Sequence, residues 1–217
     1  MIKKILFGSK DKMKSAYLWN TCAAMLNAFQ TVFILMLISR IDPVIDAGVF
    51  TIAFAIGNLM MAIGKYGIRQ FQVSDVEEKY SFKEYTVARI ITSIIMIAAS
   101  FVYVGVNLAS GLYDSSKSIV IILICLAKVI DAVEDVIHGM FQQYLRLDVA
   151  GKILSIRMCT YIFVYLVCYY FSKNLILTSA VALLVSFIQF VILNYTAIRG
   201  FEIKKKTFEI KNVKNIF

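Results

Sequence analysis

The chain has 217 residues, a formal net charge of +9, and 60% hydrophobic residues with a single proline. This composition is far from that of a soluble domain and indicates a membrane protein. The basic charge alone would suit a nucleic-acid partner, but its distribution along the chain favours a topology signal instead, so we expect no nucleic acid among the partners.

Six apolar stretches are each long enough to cross about 30 Å of hydrocarbon. The first is too long for the core of a signal peptide, so we read it as an uncleaved first helix. We predict an all-α membrane bundle of six transmembrane helices in residues 16–198, with a basic tail at 1–15 and a basic tail or linker at 199–217. The stretches are Ala16–Ser39, Gly48–Ile68, Thr86–Leu108, Ser118–Gln142, Gly151–Ser172 and Leu175–Ile198.

The basic residues alternate between the two ends of these predicted helices. Most of the 23 lie in the two terminal tails and in the second and fourth connections. The first, third and fifth connections hold only Arg40, Lys117 and Lys173. Lys and Arg are enriched in cytoplasmic loops, so this pattern predicts that both termini are cytoplasmic. Some of the same charges are expected to attract anionic membrane lipids.

Polar and small residues in the first three helices carry local predictions. Asn20, Asn27 and Thr31 share a stripe, which favours hydrogen bonds between helices, with the lining of a polar substrate path as the alternative. Ala53, Gly57 and Gly64 form a small-residue stripe in the second helix, which favours close helix packing over a hinge. The spacing of Ser81 and Glu84 predicts a capping box at the start of the third helix.

The fourth stretch is the most informative, because its second half is charged. Lys128, Asp131, Glu134, Asp135 and His138 fall within an arc of about 120° at 100° per residue. One such residue at the centre of a membrane helix costs about 2.5–3.5 kcal/mol on insertion scales. We therefore expect these side chains to face one another, other helices or water, and we predict a wet, charged face.

Two interpretations of this charged face remain open. It is either a structural ion-pair network completed by Arg89 or Arg157, with its later residues near the headgroups, or the lining of a water-filled cavity in a transporter. On the second interpretation, basic side chains hold an anionic substrate and carboxylates take up a coupling cation. The substrate-cavity candidates are Lys128, Arg89, Arg157 and Asn27, and the ion-coupling candidates are Asp131, Glu134, Asp135 and His138.

An intramembrane enzyme and an ion channel are the alternatives from other classes. Asp135 and His138 have the spacing of an acid–base or metal pair, but a metal site normally needs three or more ligands and the chain has one histidine. No HExxH, GxSxG or phosphate-binding glycine loop is present. No loop resembles a selectivity filter. We therefore expect no catalytic residues, no metal site and no cofactor.

Two connections resemble those of a known transporter family. The segment 67–75, followed by 80–85 and 89–92, is similar to the connection between helices two and three of bacterial polysaccharide flippases. The segment 139–143, with 146–152 and 156–157, resembles their connection between helices four and five. These are the Wzx-type oligosaccharide flippases of the multidrug/oligosaccharidyl-lipid/polysaccharide exporter superfamily, and the resemblance covers nearly the whole chain in order.

The resemblance implies a function that composition does not show. Such proteins move undecaprenyl-pyrophosphate-linked oligosaccharide repeat units across the bacterial inner (plasma) membrane by alternating access, driven by a coupling cation, a proton or sodium. The family's inner mouth maps onto Arg69, Gln72, Asp75, Arg146, Asp148 and Lys152, although folding of the loops explains these residues equally well.

The chain departs from the family in helix number. Family members have about twelve to fourteen helices in two lobes, and this chain resembles the amino-terminal lobe. We therefore expect it to be truncated, or to pair with a second lobe or a second copy. The alternatives are another multi-pass secondary transporter or an inactive six-helix remnant.

Overall fold

The computed structural model describes residues 2–42, 44–201 and 208–217, which are helical with short connections and contain no strand. Residues 1, 43 and 202–207 lie outside the described residues, so the predicted amino-terminal tail and linker are described only in part. The helices are α1 (Ile2–Phe7), α2 (Lys12–Ile41), α3 (Asp46–Lys65), α4 (Ile68–Ser74), α5 (Phe82–Ala109), α6 (Ser115–Gln143), α7 (Leu147–Ser172), α8 (Leu175–Ile198) and α9 (Ile210–Lys214).

Five segments of the described chain are long and apolar enough to cross a membrane. They are α2, α3 together with α4, α5, α7 and α8. Helix α6 has comparable length, with 29 residues, but the charges in its second half set it apart from these five by composition. The prediction of an all-helical membrane bundle is confirmed at this level.

Helix α6 is the centre of the bundle. It packs against α3 and α5 on one side and against α7 and α8 on the other, with α4 near its end. Helix α2 lies at the periphery and packs mainly along α7. The connections α2–α3, α5–α6 and α7–α8 share one end, which we call the turn end. Helices α1, α4 and α9 lie at the opposite end, which we call the tail end.

Several helix starts follow from their first residues. Asp11, Asp114 and Asn174 cap α2, α6 and α8 by accepting a hydrogen bond from a backbone N–H in the first turn. The predicted capping box is confirmed, because Ser81 and Glu84 exchange both hydrogen bonds at the start of α5.

The second predicted stretch is interrupted where the sequence suggested continuity. Tyr66 and Gly67 both adopt left-handed backbone conformations, with φ of 37° and 66°, so α3 ends at Lys65. The prediction of a helix through Ile68 is therefore wrong at its end. Beyond the break, Arg69 of α4 donates a hydrogen bond to Asp135 of α6.

The packing interpretation of the small-residue stripe agrees with the structure. Ala53 is buried, and a Cβ at Gly57 would lie only 3.1 Å from a side-chain atom of Ile124 in α6. A Cβ at Gly64 would lie 3.3 Å from that of Ala132, also in α6. Because neither glycine carries a side chain, the backbones of α3 and α6 approach closely.

Charged side chains of the bundle hold both terminal segments. The Lys152 ammonium donates to the carbonyls of Ile5 and Leu6, each at 3.0 Å. The buried Glu84 carboxylate accepts from the Glu209 N–H at 3.1 Å and the Asn212 amide at 2.8 Å. The described parts of the predicted tails are thus docked on the tail end.

Candidate functional site: a buried ionic network

The second half of α6 carries charged side chains that meet arginines from three other helices. We call the set the ionic network, and it lies between the middle of the bundle and the tail end. Its members are Lys128, Asp131, Glu134 and Asp135 of α6, Arg69 of α4, Arg89 of α5 and Arg157 of α7.

Arg157 joins two carboxylates of α6. Its Nη2 lies 2.5 Å from the Asp131 Oδ1 and 2.8 Å from the Glu134 Oε2, and its Nε lies 3.0 Å from the same Glu134 oxygen. Its Nη1 donates to the Ser186 hydroxyl of α8 at 3.1 Å. A guanidinium suits this position, because its planar array of donors can serve several acceptors at once.

Glu134 is the most completely enclosed carboxylate of the network, with 1% of its side chain exposed. Its second oxygen accepts a hydrogen bond of 2.8 Å from the Asn194 amide of α8. The His138 Nε2 lies 3.9 Å from the Glu134 Oε2, and it has no hydrogen-bond partner among the described residues. The predicted histidine is therefore beside the network without being bound into it.

Asp135 lies on the same charged face of α6 but contacts arginines of α4 and α5. The Arg69 Nη1 and the Arg89 Nη2 lie 3.3 Å and 2.9 Å from its two carboxylate oxygens. Arg89 is fully buried and also donates to the Gly64 carbonyl at 2.7 Å, an oxygen that Thr92 shares. This carbonyl near the end of α3 thus helps to satisfy a guanidinium buried inside the bundle.

Lys128 lies near the middle of α6. Its ammonium is 3.4 Å from the Asp131 Oδ2 and 4.4 Å from the centre of the Phe54 ring. Only 4% of its side chain is exposed. A cation this far from water is held by an anion and by the negative face of an aromatic ring.

The network carries an excess of positive charge. Four basic side chains meet three carboxylates in the ion pairs of the described residues. Lys128 and Arg157 balance Asp131 and Glu134, whereas two arginines share Asp135, so the surplus positive charge lies on the Asp135 side. The network as a whole therefore has an anion-attracting character.

The predicted wet face is largely covered by protein. Lys128, Glu134 and His138 are buried. Asp131 and Asp135 retain 14% and 12% side-chain exposure. The prediction of water along the whole face is wrong in this conformation, because side chains from α4, α5, α7 and α8 close over it.

Of the residues predicted for an inner mouth, one belongs to the ionic network and five make other contacts at the tail end. Arg69 alone joins the ionic network. The Gln72 backbone carbonyl accepts a hydrogen bond from the Gln143 side-chain amide. The Asp75 carboxylate accepts from the backbone N–H groups of Lys79 and Tyr80 and from the Tyr85 hydroxyl. Arg146 pairs with Asp148 at 2.8 Å, and Lys152 holds α1. These five stabilise connections and terminal segments at the tail end.

Asn27 is not brought to the network. It lies on an exposed face of α2, a helix that packs mainly on α7. Asn20, on the same predicted stripe, does donate across helices to the Leu147 carbonyl at 3.0 Å. The hydrogen-bonding interpretation is therefore confirmed for Asn20, while the cavity assignment of Asn27 stays a prediction.

Two network contacts were missed from the sequence. Ser186 and Asn194 come from α8, the most apolar of the long helices. The sequence signal for them is the presence of polar residues in an otherwise apolar helix. Thr178 and Ser179 belong to the same set, and all four are buried. Polar side chains inside a membrane helix normally bond to a neighbouring helix.

The chemistry of this site is that of ion pairing. In the described residues, no group of three or more His, Cys, Asp or Glu side chains is arranged to hold a metal ion.

No protein-family model, curated protein or solved structure matches this chain. A function must therefore be inferred from the network and from the sequence.

Proposed function

We propose that this chain is a six-span bundle of the bacterial plasma membrane, with α6 as its fourth span and both termini cytoplasmic. In this proposal it forms one lobe of a flippase. The substrate is an undecaprenyl-pyrophosphate-linked oligosaccharide, moved by ion-coupled alternating access. The support comes from the five apolar spans, the distribution of basic residues, the resemblance in two connections and the ionic network.

The observation that carries the proposal is the buried ammonium of Lys128, which shares the Asp131 carboxylate with Arg157. A bundle that needed only stability would place an apolar residue there, because burying a charge in a membrane is expensive. A buried ammonium near mid-depth suits an anionic group that arrives with a substrate, and pyrophosphate is such a group. Arg157 and Arg89, the other cavity candidates, are already engaged with carboxylates.

In the coupling step the proton or sodium ion binds to Asp131 and Asp135, the two partly exposed carboxylates. A proton or sodium ion at Asp131 weakens the attraction of this carboxylate for Lys128 and Arg157. Both cationic side chains are then available to the pyrophosphate. Loss of the cation restores the ion pairs and displaces the substrate. Asp135 supports the same exchange on the side of Arg69 and Arg89.

The runner-up is a network whose role is only structural, in another secondary transporter or in an inactive remnant. The observation that favours it is the burial of Glu134, Arg89 and Arg157, with each of the three network carboxylates paired to an arginine. This reading predicts that charge-removing variants change stability and leave glycan export normal wherever the protein is still made.

The test compares export by cells that carry Lys128→Ala, Asp131→Asn or Lys117→Ala in the transporter. We expect the first two variants to reduce surface glycan about tenfold or more, since a hydrogen bond to a charged group contributes about 1.5–3 kcal/mol. Undecaprenyl-linked repeat units should accumulate in the inner leaflet. Lys117, in the first turn of α6, is the matched control.

Membrane abundance of each variant is measured in parallel. Normal export by both network variants at normal abundance would make the network structural. A chemically altered lipid-linked substrate, instead of one that only changes leaflet, would favour the enzyme alternative.

A further inference from the structure

An apolar groove runs along the surface between α2 and α7, close to the turn end. It encloses about 450 Å³, a volume within the range of ligand pockets. Phe33, Met36 and Leu37 form its α2 wall, and Val167 and Tyr170 belong to its α7 wall. Phe33, Met36 and Val167 are 45%, 55% and 40% exposed, so the described residues leave this surface open.

A cationic side chain lies at the turn end of the groove. Arg40 lines it and stands in the last turn of α2. It forms no ion pair within the part of the chain that the structure describes. Asp42, the nearest carboxylate in sequence, already accepts hydrogen bonds from the N–H groups of Val44 and Ile45.

The position of Arg40 matches the boundary of a membrane. Helix α2 ends at Ile41, so the guanidinium lies at the end of an apolar span, where lipid headgroups begin. From Arg40 the α2 wall extends toward the bilayer centre for about 10 Å, given 1.5 Å per residue. Tyr170 places an aromatic ring near the same boundary, as is common at membrane interfaces.

We propose that this groove binds a membrane phospholipid with an anionic headgroup. The phosphate lies beside the Arg40 guanidinium, and one hydrocarbon chain lies along Phe33, Leu37 and Val167. The proposal is independent of the flippase function, because it uses neither the ionic network nor a transported substrate.

A second copy of the chain fits this surface less well. In an isologous pair the same surface patch lies on both sides of the interface, so one Arg40 would approach the other. The residues lining the groove include no carboxylate to neutralise that pair. A phosphate supplies the missing negative charge, and a hydrocarbon chain matches the apolar walls.

The test uses quenching of tryptophan fluorescence by brominated lipids in vesicles containing the full chain. Replacing Trp19, the single tryptophan, with Phe gives a silent background. Val167→Trp then reports on the groove. Val102→Trp, on an exposed face of α5, is the matched control for contact with bulk lipid. Brominated phosphatidylglycerol is compared with brominated phosphatidylcholine.

We expect the groove reporter to prefer phosphatidylglycerol about fivefold, the order of effect of one basic side chain at an anionic lipid surface. The control reporter should show no preference. Arg40→Gln should abolish the preference and Arg40→Lys should retain most of it. Lys173→Gln, which removes another turn-end cation, should leave it unchanged. Arg40 is exposed, so its variants are expected to fold.

Three results would overturn the proposal. Equal quenching by both lipids at the groove reporter would mean ordinary contact with bulk lipid. No quenching there, with normal quenching at the control, would mean that protein covers the groove. Relief of quenching by stoichiometric polyprenyl diphosphate, but not by the same amount of unbrominated phosphatidylglycerol, would assign the groove to the substrate lipid.

Discussion

The two halves of α6 solve the problem of a central helix in opposite ways. The first half, residues 119–127, presents apolar side chains, and Ile121 and Ile124 are buried against other helices. The second half, residues 128–142, presents three carboxylates to arginines from α4, α5 and α7, and Lys128 pairs with one of these carboxylates. Both halves are enclosed by the same bundle, yet one is held by packing and the other by charge compensation.

The two halves should therefore tolerate sequence changes differently. In the apolar half each side chain contributes its own packing, so removing a methylene group has a local cost. In the charged half the partners depend on one another, because a carboxylate that loses its arginine stays buried without compensation. The same helix therefore holds one region whose side chains act independently and one in which a single guanidinium supports several groups.

The largest expected effect comes from Arg157→Gln. This change leaves Glu134 without a cation and Asp131 with Lys128 alone, so we expect the free energy of unfolding to fall by about 3–5 kcal/mol. The measurement is unfolding by denaturing detergent in micelles, followed by circular dichroism. Arg199→Gln, at an exposed position beyond α8, is the control and should change little.

A loss below about 1 kcal/mol for Arg157→Gln would contradict this account of the charged half. It would mean that Asp131 and Glu134 find water or another cation once the guanidinium is gone.

A smaller effect is expected in the apolar half. Ile124→Val removes one methylene group from a residue that is 1% exposed, so we expect a loss of about 0.5–1.5 kcal/mol in the same assay. Glycan export should be normal, because this half takes no part in ion pairing. Ile119→Val, at a 46% exposed position of α6, serves as the control and should be neutral. Reduced export by Ile124→Val at normal abundance would show that function extends beyond the network.

Much of this organisation is predictable from residue type and spacing. Apolar runs locate the long helices, and the arc of charges in α6 together with single arginines in α5 and α7 indicates the ion pairs. The break at Tyr66 and Gly67 is less predictable, because an apolar run does not reveal which residue adopts a left-handed conformation. The docked termini depend on tertiary contacts of Glu84 and Lys152, which have no local signature.

The exposure of the charged face was also beyond the sequence. An angular arc states which side chains share a face, but not whether water or protein covers it. That depends on the lengths and directions of the neighbouring side chains, and here Arg89 and Arg157 fill the space. Asn27 shows the same limit, since a polar stripe does not say which neighbouring helix it meets.

The smallest change in the free energy of unfolding is expected for Lys128→Met, a variant that tests whether this side chain serves function or folding. The variant removes one buried cation, and Asp131 keeps its contact with Arg157. Methionine is apolar and flexible and can pack on the Phe54 ring in place of the ammonium. We therefore expect the free energy of unfolding to change by less than about 1 kcal/mol, because Asp131 still has a cation and the cost of desolvating a buried ammonium is removed. Export should nevertheless fall, as for Lys128→Ala, because the charge available to the substrate is gone. Normal stability with lost export would separate function from folding within one side chain. A large loss of stability would instead mean that Lys128 belongs to the same interdependent set as Arg157.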